Sequence, residues 1–127
     1  MHTEDIDGKT LEHWTPEEVH RAFDAGEIVL IDVRTPQEFA FEHVEGALLS
    51  PLATFLADKL PTGGDKRIVF HCGSGVRSRK VAEICAAAGL DRVAHLEGGF
   101  AAWKTAGLPY VAIDPATGGI RRVGHAA

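Results

Sequence analysis

Arg67-Ile68-Val69-Phe70-His71-Cys72-Gly73-Ser74-Gly75-Val76-Arg77-Ser78 is the stretch from which the rest of the chain can be read. Its first part, through His71, is a short apolar run rich in β-branched and aromatic residues, the character of a buried strand. Glycines 73 and 75 end that strand. A helical spacing of apolar residues follows at Val81, Ala82, Ile84 and Cys85. The stretch is therefore strand, tight loop, helix, with Cys72 at the junction. A thiol there faces the positive end of a helix dipole and the unpaired amides of its first turn. Both favour the thiolate, the nucleophilic form of cysteine.

The same alternation extends in both directions. Upstream, Thr15-Pro16-Glu17-Glu18 has a threonine cap, a proline at the first helical position and a glutamate three residues after the cap. This capping-box start predicts a helix through Val19, Ala22 and Phe23 that stops at Gly26. Ile28-Val29-Leu30-Ile31 is apolar throughout, as a parallel strand covered on both faces would be. Thr35-Pro36-Gln37-Glu38 repeats the capping signature ahead of a short helix to about Glu42. Lys9–Glu12 and Ala47-Leu48-Leu49 are short strand candidates. Ser50-Pro51 predicts a helix with Leu52, Phe55, Leu56 and Leu60 on one face. Downstream, the helix after Cys72 should end at Gly89. Val93–Leu96 reads as a strand, and a helix from about Phe100 to Thr105 ends at Gly107. Alternating strands and helices predict one three-layer α/β/α domain over 9–110. Residues 1–8 read as a flexible lead. Residues 111–127, with Pro115, Gly118, Gly119 and Gly124, read as an irregular tail.

A chain of 127 residues can bury a core without a metal or disulfide staple. Hydrophobic residues make up 45% and mean hydropathy is -0.02, a soluble globular balance. The formal net charge of -5 argues against a general nucleic-acid binder. No apolar run approaches the roughly 20 residues of a membrane span. The polar start, Met1-His2-Thr3-Glu4-Asp5, has no apolar segment of a secretion signal. Cys85 falls about 10 Å along the helix from the Cys72 loop, too far for a disulfide. Two free thiols suggest a reducing compartment, hence the cytoplasm. The seven histidines show no zinc-ligand spacing, and no metal or cofactor is expected.

In the loop itself, Gly73 and Gly75 let successive amides turn inward as an anion-binding nest. Ser74 and Ser78 add hydroxyls, and Arg77 adds a planar cation suited to an oxyanion. Together they should depress the Cys72 pKa.

At this point the chain resembles the rhodanese family of sulfurtransferases, over most of its length. The resemblance rests on several motifs in order. They are Asp32-Val33-Arg34 followed by Glu38-Phe39, then His43-Val44-Glu45-Gly46-Ala47. Cys72-Gly73-Ser74-Gly75-Val76-Arg77-Ser78 and Leu96-Glu97-Gly98-Gly99-Phe100-Ala101-Ala102-Trp103 complete the set. The family implies a mainly parallel five-stranded sheet in the order 1-5-4-2-3, with Asp32 to Arg34 and Glu97 to Gly99 flanking the Cys72 loop. It implies Cys72 as the nucleophile and Gly73, Ser74, Gly75, Val76, Arg77 and Ser78 as the substrate-binding loop, with Asp32 and Arg34 supporting it. The reaction implied is double displacement through a Cys72 persulfide. The partners are a small sulfur donor and a thiol or cyanide acceptor, a protein cysteine included. A basic loop in two-domain relatives goes with thiosulfate, and a neutral Cys-Gly-Ser-Gly-Val opening resembles mercaptopyruvate enzymes. This loop combines the neutral opening with Arg77, and thiosulfate or a persulfide is the expected donor.

Two rivals share features of this loop. Cysteine-dependent phosphatases and arsenate reductases have a similar His-Cys…Arg pattern, but the phosphatases place five residues between Cys and Arg. Here there are four, a tighter loop that suits a single sulfur. A non-catalytic interaction or sulfur-carrier module is the other rival, though inactive members usually lack the cysteine. Around the loop, Arg34 and Glu38 are expected to form an ion pair. Asp32 has two readings, a turn cap or a group that orders the loop. His71, His43 and Trp103 are expected to be structural, Cys85 a buried hydrophobe, and Arg79 and Lys80 solvated.

Overall fold

The computed structural model describes residues 1–124. Strands are β1 (His2–Ile6), β2 (Lys9–Trp14), β3 (Ile28–Asp32), β4 (Glu42–His43) and β5 (Leu48–Leu49) in the first half. The second half supplies β6 (Arg67–His71), β7 (Arg92–Leu96), β8 (Tyr110–Ile113) and β9 (Ile120–Val123). Helices are α1 (Pro16–Asp24), α2 (Pro36–Phe41), α3 (Val76–Ala87) and α4 (Gly99–Thr105).

Both predicted capping boxes form. Thr15 Oγ1 accepts from the Glu18 amide at 3.2 Å, and the Glu18 carboxylate accepts from the Thr15 amide at 3.0 Å. Thr35 and Glu38 repeat the arrangement at 3.2 and 3.1 Å. The main sheet runs β1-β2-β7-β6-β3-β5. Its parallel members, β2-β7-β6-β3-β5, stand in the 1-5-4-2-3 order expected of the five strands. Side chains alternate across this sheet. Leu30, Val69, Ala94 and Leu96 pack with Val19, Ala22, Phe100 and Trp103 on the α1/α4 face. Leu11, Ile31, Phe70 and Val93 pack with Val81, Ala82 and Cys85 on the α3 face. Continuous apolar strands thus feed two cores, one on each side.

Three local expectations are corrected. Residues 1–8 are not a loose lead. His2 to Ile6 pair antiparallel with β2, turning through Asp7-Gly8, where both residues have positive φ. His-Thr-Glu-Asp hides this strand because its polar residues cover an edge rather than a core. Of the predicted irregular tail, 111–127, residues 125–127 lie outside the described residues, and 111–123 form strands joined by a turn. β8 pairs with β4 and β9 in a second antiparallel sheet, and Pro115 and Gly118 lie in the turn between β8 and β9. Finally, the helix predicted from Ser50 to Leu60 is replaced by two 3-10 turns, Leu52–Thr54 and Ala57–Lys59. The extended backbone at Phe55 and Leu56 separates them. That break lets Leu52, Phe55, Ala57 and Leu60 all reach the α3-face core, while Leu56 points outward. No helix among the described residues is long and apolar enough to cross a membrane.

Candidate active site

Parallel strands deliver their carboxyl ends to one edge, where α/β sheets form clefts. β3 ends at Asp32, β6 at His71 and β7 at Leu96, with β6 between the other two. The Cys72 loop therefore emerges between the Asp32-Val33-Arg34 and Glu97-Gly98-Gly99 segments. The first turn of α4 holds the loop's base. The Phe100 amide donates to Cys72 O at 2.8 Å, and the Ala101 amide to Gly73 O at 3.0 Å. This approach needs Gly99. A Cβ on it would lie 2.6 Å from Cys72 O and 2.7 Å from the Gly73 carbonyl carbon, and its φ is +62°.

The loop closes around the sulfur. Gly75, at φ +109°, turns the chain into α3. Its amide donates to Cys72 Sγ at 3.0 Å, and Ser78 Oγ lies 3.6 Å from Sγ. Burial raises the Cys72 pKa, but the Ser78 amide and hydroxyl and the Gly75 and Ser74 amides outweigh it. The net shift is downward from an ordinary thiol. Cys72 is fully buried in this closed loop, whereas Val76 at the mouth is 73% exposed. Cys85 is also buried and free, and burial pushes its thiol up to about 11, so it is inert.

The basic residues find partners other than those expected. Arg34 does not pair with Glu38. Its Nε and Nη2 grip Asp32 at 2.8–3.1 Å, and Nη2 also donates to Glu42 O at 2.7 Å. The guanidinium lies 4.5 Å from the centre of the Phe100 ring. Adjacent sequence position wins because Arg34 folds back on Asp32 within the sheet edge. Glu38 instead takes Arg77 in a two-point bridge at 2.6 and 3.0 Å. Arg77 thereby lies across Gly73, where an added Cβ would come within 3.0 Å of Nη2. Its hydrogen bonds to Arg77 and the Thr35 amide hold the Glu38 carboxyl at about 2 despite partial burial. Arg79 is not free either. It pairs with Glu4.

Asp32 is fully buried, and His71 Nε2 lies 3.5 Å from its Oδ2, too far or too oblique to bond. Burial, then the nearby Arg34 charge, pushes the His71 pKa down against the pull of Asp32, so the ring is neutral. Asp32 thus anchors Arg34 and faces His71, one residue before the nucleophile candidate. Trp103 is buried and donates to Pro109 O at 2.9 Å, a structural role. His43 bonds Phe39 O at 2.6 Å and stacks on Phe39. Beside the loop lies a largely apolar cavity of about 330 Å³. Val33, Arg34, Pro36, Pro51, Leu52 and Arg77 form much of its wall.

The sequence reading passed over Glu4, His13 and His95, which the fold brings to the back of the loop. His95 Nδ1 lies 2.8 Å from Ser78 Oγ, and His95 Nε2 lies 2.9 Å from His13 Nδ1. The available signal was a polar residue at a core-facing parity, His95 two after Val93 and His13 two after Leu11. His2, His13 and Glu97 also bring ligand-type atoms within 4.8 Å of one another. Both nitrogens of His13 are already engaged, however, by His95 and Glu4.

A family model for the rhodanese-like domain matches residues 15–106. A protein named sulfurtransferase from Allochromatium vinosum is 35% identical over 92 residues, 72% of this chain and 86% of its own. An uncharacterized Synechocystis protein is 42% identical over 84 residues, 66% of this chain. The match takes in only 47% of that relative, so the chain spans about half its length. The crystal structure of a rhodanese-like domain protein from Staphylococcus aureus superposes with a TM-score of 0.61 at 33% identity. It covers 72% of this chain and 90% of that one. With the loop, the sheet order and the matched length in agreement, the chain belongs to the rhodanese-like domain family.

Proposed function

We propose that this protein is a sulfurtransferase that carries sulfane sulfur on Cys72 as a persulfide. The observation behind this reading is the set of donors on the sulfur. The amides of Ser74, Gly75 and Ser78 and the Ser78 hydroxyl all favour negative charge there. The Cys72 thiolate attacks the outer sulfur of a donor such as thiosulfate. A new S–S bond forms, the donor's S–S bond breaks, and sulfite leaves with the bonding pair. Cyanide or a thiol, a protein cysteine included, then takes the terminal sulfur and the Cys72 thiolate departs. One hard transfer becomes two easier ones. The amides of Ser74, Gly75 and Ser78 and the Ser78 hydroxyl face the sulfur that accepts and passes on the sulfane atom, and Arg77, bridged to Glu38, lies beyond them.

The sulfurtransferase name of the Allochromatium relative supports this reading, as does the four-residue spacing from Cys72 to Arg77. Phosphate chemistry fits less well, because this four-residue span makes a tighter loop than the five-residue span of the phosphatases. Two free thiols support a reducing, cytoplasmic setting. A sulfur carrier without turnover is the second reading, and the burial of Cys72 favours it.

Intact mass spectrometry after thiosulfate treatment tests both. One added sulfur on wild type, absent in Cys72→Ser and removed by cyanide, is expected of the enzyme. An adduct that no acceptor removes marks a carrier. No adduct from thiosulfate or any persulfide donor would exclude both.

A further inference from the structure

Cys72 is sealed from solvent, yet a chain of side chains leads from its sulfur to the surface. Ser78 Oγ lies 3.6 Å from Sγ and 2.8 Å from His95 Nδ1, closer than the 3.2 Å to Gly75 O, the other acceptor its hydroxyl can reach. His95 Nε2 lies 2.9 Å from His13 Nδ1, and His13 Nε2 lies 2.9 Å from Glu4 Oε1. Glu4 holds Arg79 through both its oxygens, at 2.7 and 2.5 Å. Four elements contribute, α3, β7, β2 and β1. Register explains why they meet: His13 stands opposite His95 on β7 and opposite His2 on β1. All lie on the sheet face that α3 covers. Exposure rises along the chain, from 0% at Ser78 and 4% at His95 to side-chain values of 12% at His13 and 39% at Glu4.

A neutral imidazole has one donor and one acceptor nitrogen. Two such rings in series therefore allow only two consistent bonding directions, outward or inward. We propose that Ser78, His95 and His13 form a proton relay joining the Cys72 thiol to solvent at Glu4, and that its hydrogen bonds reverse together when the thiol ionises.

In the thiol form, Cys72 S–H donates to Ser78 Oγ and Ser78 O–H to His95 Nδ1. His95 Nε2–H then donates to His13 Nδ1, and His13 Nε2–H to Glu4. On ionisation the His13 Nε2 proton passes to water and each hydrogen behind it moves one link outward. Ser78 O–H now donates to the thiolate, His95 Nδ1–H to Ser78 Oγ, and His13 Nδ1–H to His95 Nε2. One proton has left and one negative charge stays on sulfur; the bare His13 Nε2 accepts from water in place of its contact with Glu4, which rests on Arg79. Burial above all, with the Arg79 charge, pushes the His95 pKa down to about 4, so this ring passes a proton rather than storing it. The hydrogen bond from Arg79 holds the Glu4 carboxyl at about 2, too acidic to trap the proton. The other charged or titratable groups around the chain are Asp32, His71 and Arg77 at the sulfur end. At the outer end they are His2, Glu83 and Glu97.

The relay rests on Cys72 as the reactive thiol, but its test does not depend on sulfur transfer. Imidazole nitrogen NMR of the wild-type protein is followed while Cys72 ionisation is read by the pH dependence of its alkylation with iodoacetamide. His95 and His13 are expected to change from Nε2–H to Nδ1–H together with Cys72. Unchanged tautomers while Cys72 ionises would overturn the relay. His13→Phe keeps the ring but removes its nitrogens, and it touches neither Cys72 nor Ser78. It should raise the alkylation midpoint by about one pH unit, a tenfold slower reaction below it. A wild-type midpoint in a folded His13→Phe protein would mean that His95 only positions Ser78. If alkylation follows the relay and no persulfide forms, the sulfurtransferase reading fails and the relay stands.

Discussion

Arg77 and Glu38 form a two-point salt bridge at 2.6 and 3.0 Å across the mouth of the Cys72 loop. The arginine of the Cys72 loop is therefore occupied by a carboxylate from α2. Each residue is about one-third exposed, so the bridge is open to competition from solutes. An anionic donor must share or displace Glu38 to use Arg77. Glu38→Gln should lower KM for thiosulfate several-fold and leave cyanide handling unchanged, as steady-state kinetics would reveal. A higher KM would mean that Glu38 positions Arg77 for the donor rather than competing with it.

The buried Asp32–Arg34 pair should matter more for stability than for chemistry. Asp32 is fully buried and Arg34 is 5% exposed. Asp32→Ala leaves the guanidinium without its carboxylate in a dry site, a loss of about 3–5 kcal/mol. Thermal unfolding should shift down by roughly 10–20 °C. A shift of a degree or two would show that Glu42 O and the Phe100 ring suffice to hold Arg34.

Gly99→Ala should disturb the loop directly. The new Cβ meets backbone of Cys72 and Gly73 at 2.6–2.8 Å, atoms that no side-chain rotation can move away. Left-handed backbone at this position adds about 1–2 kcal/mol for a residue with a Cβ. Both stability and the rate of Cys72 alkylation should fall. If urea unfolding and alkylation match wild type, the contact between α4 and the loop is looser than the geometry states.

Glu12 should shape the acid limb of stability. It is 1% exposed on β2 and accepts from Arg92, from Trp14 at 2.8 Å and from Arg67 at 2.8 Å. Burial alone would raise its pKa, but these three donors reverse that and lower it. A folded-state pKa below the unfolded one gives stability that is complete above the unfolded carboxylate pKa and is lost as pH falls through the folded one. Glu12→Gln should therefore cost stability at neutral pH and flatten its decline in acid. Urea midpoints measured from pH 7 downward check this. Parallel acid limbs for the two proteins would refute it.

Most of what was legible in the sequence is local. Thr15 and Thr35 start helices because a capping box lies within four residues. Ile28 to Ile31 and Arg67 to His71 are strands because apolar β-branched runs need cover on both faces. Cys72 sits at a strand-to-helix turn because Gly73 and Gly75 stand where the backbone must turn. The order of five strands came from family resemblance; the sheet keeps that order in its parallel members but has six strands, because β1 adds to the β2 edge.

Tertiary structure alone decided which charged and polar groups meet. Arg34 and Glu38 are four residues apart, but the turn after β3 folds Arg34 onto Asp32, which frees Glu38 for Arg77. Strand β1 carries a polar sequence, and the short apolar run of β8 stands beside the Pro- and Gly-containing turn to β9, so pairing with β2 and β4 is what makes them strands. The link from Cys72 through Ser78, His95 and His13 to Glu4 joins residues up to 91 positions apart in the chain. Strand register brings them together, and register depends on which strands neighbour one another. Local sequence chemistry could single out Cys72 as a candidate, but only the assembled sheet could show what stands behind it.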